Sequence, residues 1–184
     1  MVNRSAVRYD PFMKELLARY KYRGSERLAP LFGKMIGNAY RLLRSELAAE
    51  RRELLPTIVT YIPLSERRLQ ERGFNQAARM AEVIARSERL ALLPLLVRTR
   101  HTEKQSYKSR RERLDSLLGA FDTNVDGIRL MESRFAGGPC NIVIVDDVYT
   151  TGSTLYQGGE VLTAALRESG RFRGMRVYGM TWAR

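Results

Sequence analysis

The chain has 184 residues, of which 44% are hydrophobic, and a formal net charge of +12. This length and apolar content suit one globular α/β domain and exclude a disordered tail. No apolar run is long enough to span a membrane and the first ten residues lack a secretory-signal core, so we expect a cytoplasmic protein without a membrane span. One cysteine, Cys140, and one histidine, His101, leave no internal disulfide and no Cys/His zinc site.

Two helices are predicted in the N-terminal quarter of the chain. Asp10 followed by Pro11 indicates a helix start, and this helix would run to about Tyr20 before a break at Gly24. A longer helix would open at residue 25 or 26. Its apolar residues recur at helical spacing: Leu28, Leu31, Phe32, Met35, Ile36, Ala39, Leu42 and Leu43. This stripe is either core or a subunit interface, so a homodimer remains open.

Strands and helices alternate in the rest of the chain. The patterns predict strands at 57–62, 92–97, 141–145 and 177–182, a short strand at 128–131, a polar loop at 63–76, and helices at 76–86 and 154–168. Alternation of this kind predicts a doubly wound, mostly parallel α/β sheet. We expect this domain to occupy residues 51–184, with residues 1–50 as a helical extension packed on it in one compact unit.

The segment from Ile142 to Thr154, IVIVDDVYTTGST, carries the clearest chemistry. Its β-branched apolar run predicts a strand buried on both faces. Asp146 and Asp147 follow at the carboxyl end, where open α/β sheets bind ligands, and carboxylates accept hydrogen bonds from sugar hydroxyls. Backbone amides of the next turn can surround a phosphate: Thr150, Thr151, Gly152, Ser153 and Thr154. These groups predict a ribose 5-phosphate site, the alternative being only a turn and a helix cap.

A basic segment follows the first strand of the domain. Arg67, Arg68 and Arg72, next to Gly73, would bring guanidinium groups and an open backbone to a diphosphate. The alternative is that these arginines pair with the neighbouring glutamates.

A second basic segment runs from Arg98 to Arg113. It holds seven Lys/Arg and two Glu, a net +5 in sixteen residues. Such a concentration favours a local role in handling anions over a uniformly basic surface, the alternative being a solvated basic loop.

Residues 142–154 resemble the phosphoribosyl-pyrophosphate loop of type I phosphoribosyltransferases, in which a hydrophobic strand, two acidic residues and a Thr/Gly-rich turn follow in order. Three further segments resemble one branch, the ComF family of competence-associated proteins. They are KYRG at 21–24, PLS with RGFNQ between 63 and 76, and RTRHTEKQ at 98–105 continuing to Ala120-Phe121. The resemblance covers roughly residues 20–184. Family members commonly carry a four-cysteine N-terminal zinc ribbon, which this sequence lacks, and Tyr107 and Asp115 depart from the family pattern.

The resemblance implies a Mg²⁺-dependent enzyme that transfers phosphoribosyl from phosphoribosyl pyrophosphate to an unidentified acceptor, with a link to DNA uptake in natural competence. Asp146 and Asp147 would hold the ribose diol beside substrate-bound Mg²⁺, and residues 150–154 would hold the 5-phosphate. Pyrophosphate would meet Arg67, Arg72 and Gly73. Residues 98–113 resemble a catalytic lid, whose catalytic cations would be Lys104, Arg111 and Arg113. The alternative is a non-catalytic protein on the same fold, with single-stranded DNA or competence proteins as partners.

Overall fold

The protein is built on a five-stranded parallel sheet with a two-stranded antiparallel sheet beside it. The computed structural model describes residues 1–22, 25–51, 55–99, 119–135 and 138–184. Strands of the large sheet follow the order β1-β7-β6-β2-β3, and the small sheet pairs β4 with β5. The strands are β1 (Val2–Val7), β2 (Thr57–Tyr61), β3 (Ala91–Leu92), β4 (Leu96–Arg98), β5 (Phe121–Thr123), β6 (Asn141–Val148) and β7 (Arg176–Ala183).

Helices cover both faces of the large sheet. They are α1 (Pro11–Tyr20), α2 (Ala29–Ala49), α3 (Glu66–Arg72), α4 (Gln76–Glu88), α5 (Val125–Phe135) and α6 (Ser153–Glu168), with a 3₁₀ turn at Glu26–Leu28. Val143 and Val145 of β6 pack with α1, α2 and α4 on one face. Ile142 and Ile144 pack with α5, α6 and the small sheet on the other. Because β6 reaches both cores, it is apolar at consecutive positions, and the predicted doubly wound α/β fold is confirmed.

Several predicted elements agree closely with the structure. The carboxylate of Asp10 caps α1 by accepting a hydrogen bond from the Met13 amide at 2.8 Å, and Pro11 occupies the first turn. Strands β2, β6 and β7 and helices α4 and α6 lie where the patterns put them. Cys140 is buried in the core. Within the described residues, no helix has the length and apolar character needed to cross a membrane.

The strand predicted at 92–97 is wrong as one unit, because it is divided between β3 and β4. Pro94 lies between the two strands and has no amide hydrogen to give to a ladder. The next amide, that of Leu95, donates to the side-chain oxygen of Thr60 at 3.1 Å, so a side chain replaces the backbone partner at this point.

The short strand predicted at 128–131 is also wrong, because these residues belong to α5. Asn124 caps this helix, and its side-chain oxygen accepts hydrogen bonds from the amides of Asp126 and Gly127. Gly127 faces the Pro94 carbonyl so closely that a Cβ would overlap it. The cap and this close approach favour the helix, and Met131 is buried one turn later.

The polar loop predicted at 63–76 contains helix α3, which begins after Ser65 and ends at Gly73 with φ of 81°. A further difference is β1, which the patterns did not reveal and which pairs in parallel with β7. The N-terminal segment therefore contributes an edge strand to the sheet as well as helices. Helix α2 begins at Ala29, slightly later than predicted, because residues 26–28 form the 3₁₀ turn.

Candidate functional site

A cleft opens at the carboxyl ends of β2 and β6. From β2 the chain continues to β3 on one side, while β6 and then β7 lie on the other side. Connections that leave adjacent strands in opposite directions create a crevice, which is where open α/β sheets bind ligands. The cleft has a volume of about 270 Å³. Its lining comprises Tyr9, Lys21, Ile62, Leu64, Arg68, Arg72, Arg98, Asp146, Asp147, Val148, Thr150 and Thr154.

The two carboxylates predicted from the sequence lie together in this cleft. Asp146 Oδ1 accepts a hydrogen bond from the Asp147 amide at 2.8 Å. Burial, and secondly the charge of Asp147, raise the pKa of Asp146 to about 7. Asp147 Oδ2 lies 2.7 Å from Lys21 Nζ, and both side chains are mostly buried. The pair thus combines a carboxylate that holds its proton unusually strongly with one that is already ion-paired.

Four cationic side chains face the carboxylates from different parts of the chain. Lys21 follows α1, Arg68 and Arg72 lie on α3, and Arg98 ends β4. Arg72 donates to the side-chain oxygen of Gln76 at 3.0 Å, which fixes its guanidinium. Burial lowers the pKa of Arg72, and it lowers that of Arg98 in the same way. Against two carboxylates, the four cations give this part of the lining an excess of positive charge suited to a polyanion.

The turn from Thr150 to Thr154 joins β6 to α6. Gly152 occupies the N-cap with φ of 76°, and no side chain caps the helix. The Ser153 amide donates to Thr151 Oγ1 at 3.4 Å, and the next amides of α6 have neither a preceding helical turn nor an N-cap side chain to accept their hydrogen bonds. The hydroxyls of Thr151 and Ser153 lie 2.8 Å apart and hold the turn together. This arrangement of amides and hydroxyls is suited to a phosphate group.

The predicted residues do not all reach the cleft. Asp146, Asp147, Arg72, Thr150 and Thr154 line it, and Thr151, Gly152 and Ser153 form the turn beside it.

Arg67 is not among the lining residues. Its side chain is 72% exposed and pairs with Glu71 at 2.9 Å along α3, as the alternative interpretation had it. Gly73 ends α3 and donates its amide to Leu69, and it does not line the cleft either. Lys104, Arg111 and Arg113 lie outside the described residues.

The sequence interpretation missed several lining residues. Lys21 stands in the KYRG segment, but its proximity to Asp147 required the tertiary fold. Arg68 was grouped with Arg67 and Arg72 in the basic segment expected to meet a diphosphate but was left out of the pyrophosphate-binding set, and helical spacing on α3 would have separated it from the outward Arg67. Arg98 was treated as the start of a lid, whereas it lies in the cleft itself with its guanidinium 5.2 Å from the centre of the Phe121 ring. No local signal marks Tyr9.

The carboxylate pair fits a magnesium ion carried in by a substrate. Mg²⁺ commonly binds one or two carboxylates together with substrate phosphates and water, which is the set of donors that Asp146 and Asp147 would complete. In the described part of the chain, no group of three or more His, Cys, Asp or Glu side chains comes together.

Curated proteins with similar sequences carry competence and DNA-utilization names. The chain is 35% identical over 157 residues to Competence protein ComFC of Bacillus subtilis, a match covering 84% of this chain and 55% of that protein. It is 31% identical over 163 residues to ComFC of Streptococcus pneumoniae, covering 89% of this chain and 62% of the relative. The chain belongs to the ComF family. The ComF relatives also include DNA utilization protein YhgH of Escherichia coli K12, 30% identical over 164 residues, or 84% of this chain and 62% of YhgH.

Two further findings bear on the extent of the match. The chain spans between 55% and 62% of the length of these three relatives, while each match covers more than four fifths of the chain itself. No family model matches the chain.

Proposed function

We propose that this ComF-family protein binds phosphoribosyl pyrophosphate in the cleft and transfers its phosphoribosyl group to an acceptor. The observation that carries the proposal is the convergence of three groups at one sheet edge: two carboxylates, an uncapped helix start and four cations. The two carboxylates would hold the ribose diol, the helix start would hold the 5-phosphate, and the cations would hold the diphosphate. An isolated helix cap would require neither the second carboxylate nor the cations.

The chemistry follows from where charge develops during transfer. The bond between the anomeric carbon and the diphosphate oxygen breaks, a bond from the acceptor nucleophile forms, and the acceptor loses its proton. Negative charge grows on the leaving diphosphate, so Arg72, Arg98 and the other cleft cations would stabilise that state more than the ground state. Asp146 and Asp147 would hold the diol and orient the sugar. Magnesium, when bound with the substrate, would supply further neutralisation of the diphosphate.

The biological setting is inferred from the relatives. Two are named competence proteins and one a DNA utilization protein, so we propose that the activity serves the uptake or use of DNA. The acceptor nucleophile is best sought by measuring pyrophosphate release in the presence of bases, amines and nucleic acids in turn.

Calorimetry with phosphoribosyl pyrophosphate and Mg²⁺ tests the binding step. Replacing Asp147 by asparagine removes a charged acceptor for the diol and should weaken binding by roughly ten- to a hundredfold. Asp126→Asn is the matched control, since the Asp126 side chain is 93% exposed on α5 and is not among the residues that line the cleft, and it should bind as the unaltered protein does. Absence of binding heat for the unaltered protein would contradict the proposal.

A second candidate is a non-catalytic protein that binds single-stranded DNA on the same fold. The net charge of +12 and the name of the YhgH relative favour it. Binding of this kind should weaken steeply as salt rises, because phosphate contacts release counterions. Asp147→Asn separates the candidates, because loss of sugar-phosphate binding with retained oligonucleotide binding would establish two distinct activities.

A further inference from the structure

The ion pair between Lys21 and Asp147 bears on how the cleft selects its ligand. Lys21 Nζ lies 2.7 Å from Asp147 Oδ2, and the two side chains are 29% and 21% exposed. Among the described residues, Lys21 is the one cation within ion-pair distance of this carboxylate. The ammonium therefore occupies an oxygen that, under the proposed function, would accept a hydroxyl of the ribose.

Two of the other cleft cations, Arg72 and Arg98, are held differently. Arg72 is tied to the Gln76 side chain, and Arg98 lies against the Phe121 ring. A lysine ammonium is a compact charge on a flexible four-carbon stem and can turn its three donors toward a new acceptor. Lys21 directly follows α1, so its side chain can move without any change in that helix. Of Lys21, Arg72 and Arg98, it is thus the cation best able to exchange one anion for another.

We infer that Lys21 is a specificity-determining residue that leaves Asp147 for the diphosphate when phosphoribosyl pyrophosphate binds. This inference rests on the proposed function and adds to it a basis for selectivity. A ligand that carries both a diol and a diphosphate replaces the lost Lys21 contact with a new one. Ribose 5-phosphate takes the carboxylate but offers no anion near the anomeric carbon, so it leaves the ammonium in a largely buried cleft without its partner. The cleft then favours the diphosphate-bearing sugar over ribose 5-phosphate.

Calorimetry with phosphoribosyl pyrophosphate and with ribose 5-phosphate, both with Mg²⁺, tests this inference on the unaltered protein and on Lys21→Met. Loss of one charge-assisted contact should weaken phosphoribosyl pyrophosphate binding by roughly tenfold. Binding of ribose 5-phosphate should stay equal or strengthen, because no ammonium competes for Asp147. The ratio of the two affinities is the decisive quantity, and it should fall by roughly tenfold or more.

Three variants complete the design. Lys21→Arg keeps the charge and should retain most of the selectivity. Lys21→Gln repeats the neutral substitution with a polar side chain, and thermal melting of each variant verifies that it is folded. Lys14→Met removes an exposed lysine from α1 and should leave both affinities unchanged.

The outcomes separate the inference from the proposed function. Equal weakening of both ligands in Lys21→Met and Lys21→Gln, or an unchanged ratio, would overturn the inference while leaving binding of phosphoribosyl pyrophosphate established. Failure of the unaltered protein to bind phosphoribosyl pyrophosphate would overturn the proposed function and the inference with it.

Discussion

Gly152 is the residue on which the shape of the turn from Thr150 to Thr154 depends. Its φ of 76° belongs to the left-handed region, and a Cβ at this position would overlap the Tyr149 side chain. An L-residue in that backbone conformation costs about 1–2 kcal/mol, and the end of the Tyr149 side chain would have to shift to admit the Cβ. Gly152→Ala should therefore lower the melting temperature and weaken binding of ribose 5-phosphate, measured by thermal melting and calorimetry.

Gly170→Ala is the matched control for this prediction. Gly170 also has a positive φ, 64°, but nothing lies within 4 Å of the position a Cβ would take. It reports the backbone cost alone, and ligand binding should be unaffected. If the two variants had equal stability and equal binding, the contact with Tyr149 would have no role in shaping the turn.

Individual site residues differ in how much of their role the sequence reveals. Asp146, Asp147 and the turn after them are contiguous, so strand pattern, polarity and glycine placement together predicted that they would share one edge of the sheet. Lys21 and Asp147 are far apart in the chain, and no local rule brings an ammonium to that carboxylate. The exposed position of Arg67 depends on helix α3. The sequence predicts a loop there, so it gives no reason to prefer pairing with Glu71 over contact with a diphosphate.

The crossing of α2 and α4 depends on one glycine. A Cβ on Gly33 would overlap the Val83 side chain, so the two helices approach closely there. Gly33→Ala should destabilise the protein by about 1–3 kcal/mol, the usual cost of overpacking a well-packed contact. Chemical denaturation measures the change, and adding Val83→Ala should recover only the part due to the two γ-methyl groups, because the Val83 Cβ, 2.4 Å from the added Cβ, remains.

Gly37 lies one turn further along α2 and gives a control of opposite sign. Nothing lies within 4 Å of its would-be Cβ, so an alanine meets no obstacle. Gly37→Ala should stabilise the protein by about 0.5–1 kcal/mol through helix propensity alone. A destabilising effect equal to that of Gly33→Ala would show that the helix crossing is not the cause.

Elements with strong periodicity or contiguous apolar runs were predictable, and short ones were not. The sequence predicts a strand within helix α5, because the few apolar residues between 128 and 131 fit both the helical and the strand period. The cap at Asn124, which would have favoured a helix, was not recognised. Pro94 indicates a break between β3 and β4. The hydrogen bond from the Leu95 amide to the Thr60 side chain, however, is a tertiary contact that the sequence does not reveal. The two failures differ in cause, since the cap of α5 is a local signal, whereas the partner of the Leu95 amide lies 35 residues away.

The alternation of strands and helices predicts the sheet as a whole, but it does not predict the edge strand β1. β1 is polar at Asn3, Arg4 and Ser5, so neither a buried run nor a clear alternation marks it. The structure gives these side chains partners across the fold, although the buried Oδ1 of Asn3 has no hydrogen-bond partner. Ser5 and Thr181 hydroxyls lie 2.7 Å apart, and Arg4 forms two hydrogen bonds of 2.7 Å with Glu46 of α2. The strand is specified by its neighbours rather than by its own composition.

Backbone hydrogen bonds link β1 to the end of β7, and link the end of β7 to the residues that lead into the turn from Thr150 to Thr154. The Arg184 amide donates to Val7 at 3.0 Å, and the Tyr9 amide donates to Arg184 at 2.8 Å. On the other side, the Tyr149 amide donates to Ala183 at 2.8 Å. β1 therefore supports β7, and β7 in turn supports the start of the turn that would hold the 5-phosphate.

Deleting residues 2–7 should consequently affect both stability and binding. The deletion removes the ladder between β1 and β7, whose hydrogen bonds contribute about 0.5–1.5 kcal/mol each, and it exposes β7 as a new edge. We expect a lower melting temperature and weaker ribose 5-phosphate binding in calorimetry. Val2→Thr, at a position already 45% exposed, keeps the ladder and should match the unaltered protein. A deletion variant that melts and binds normally would mean that β7 and the turn hold their positions without β1.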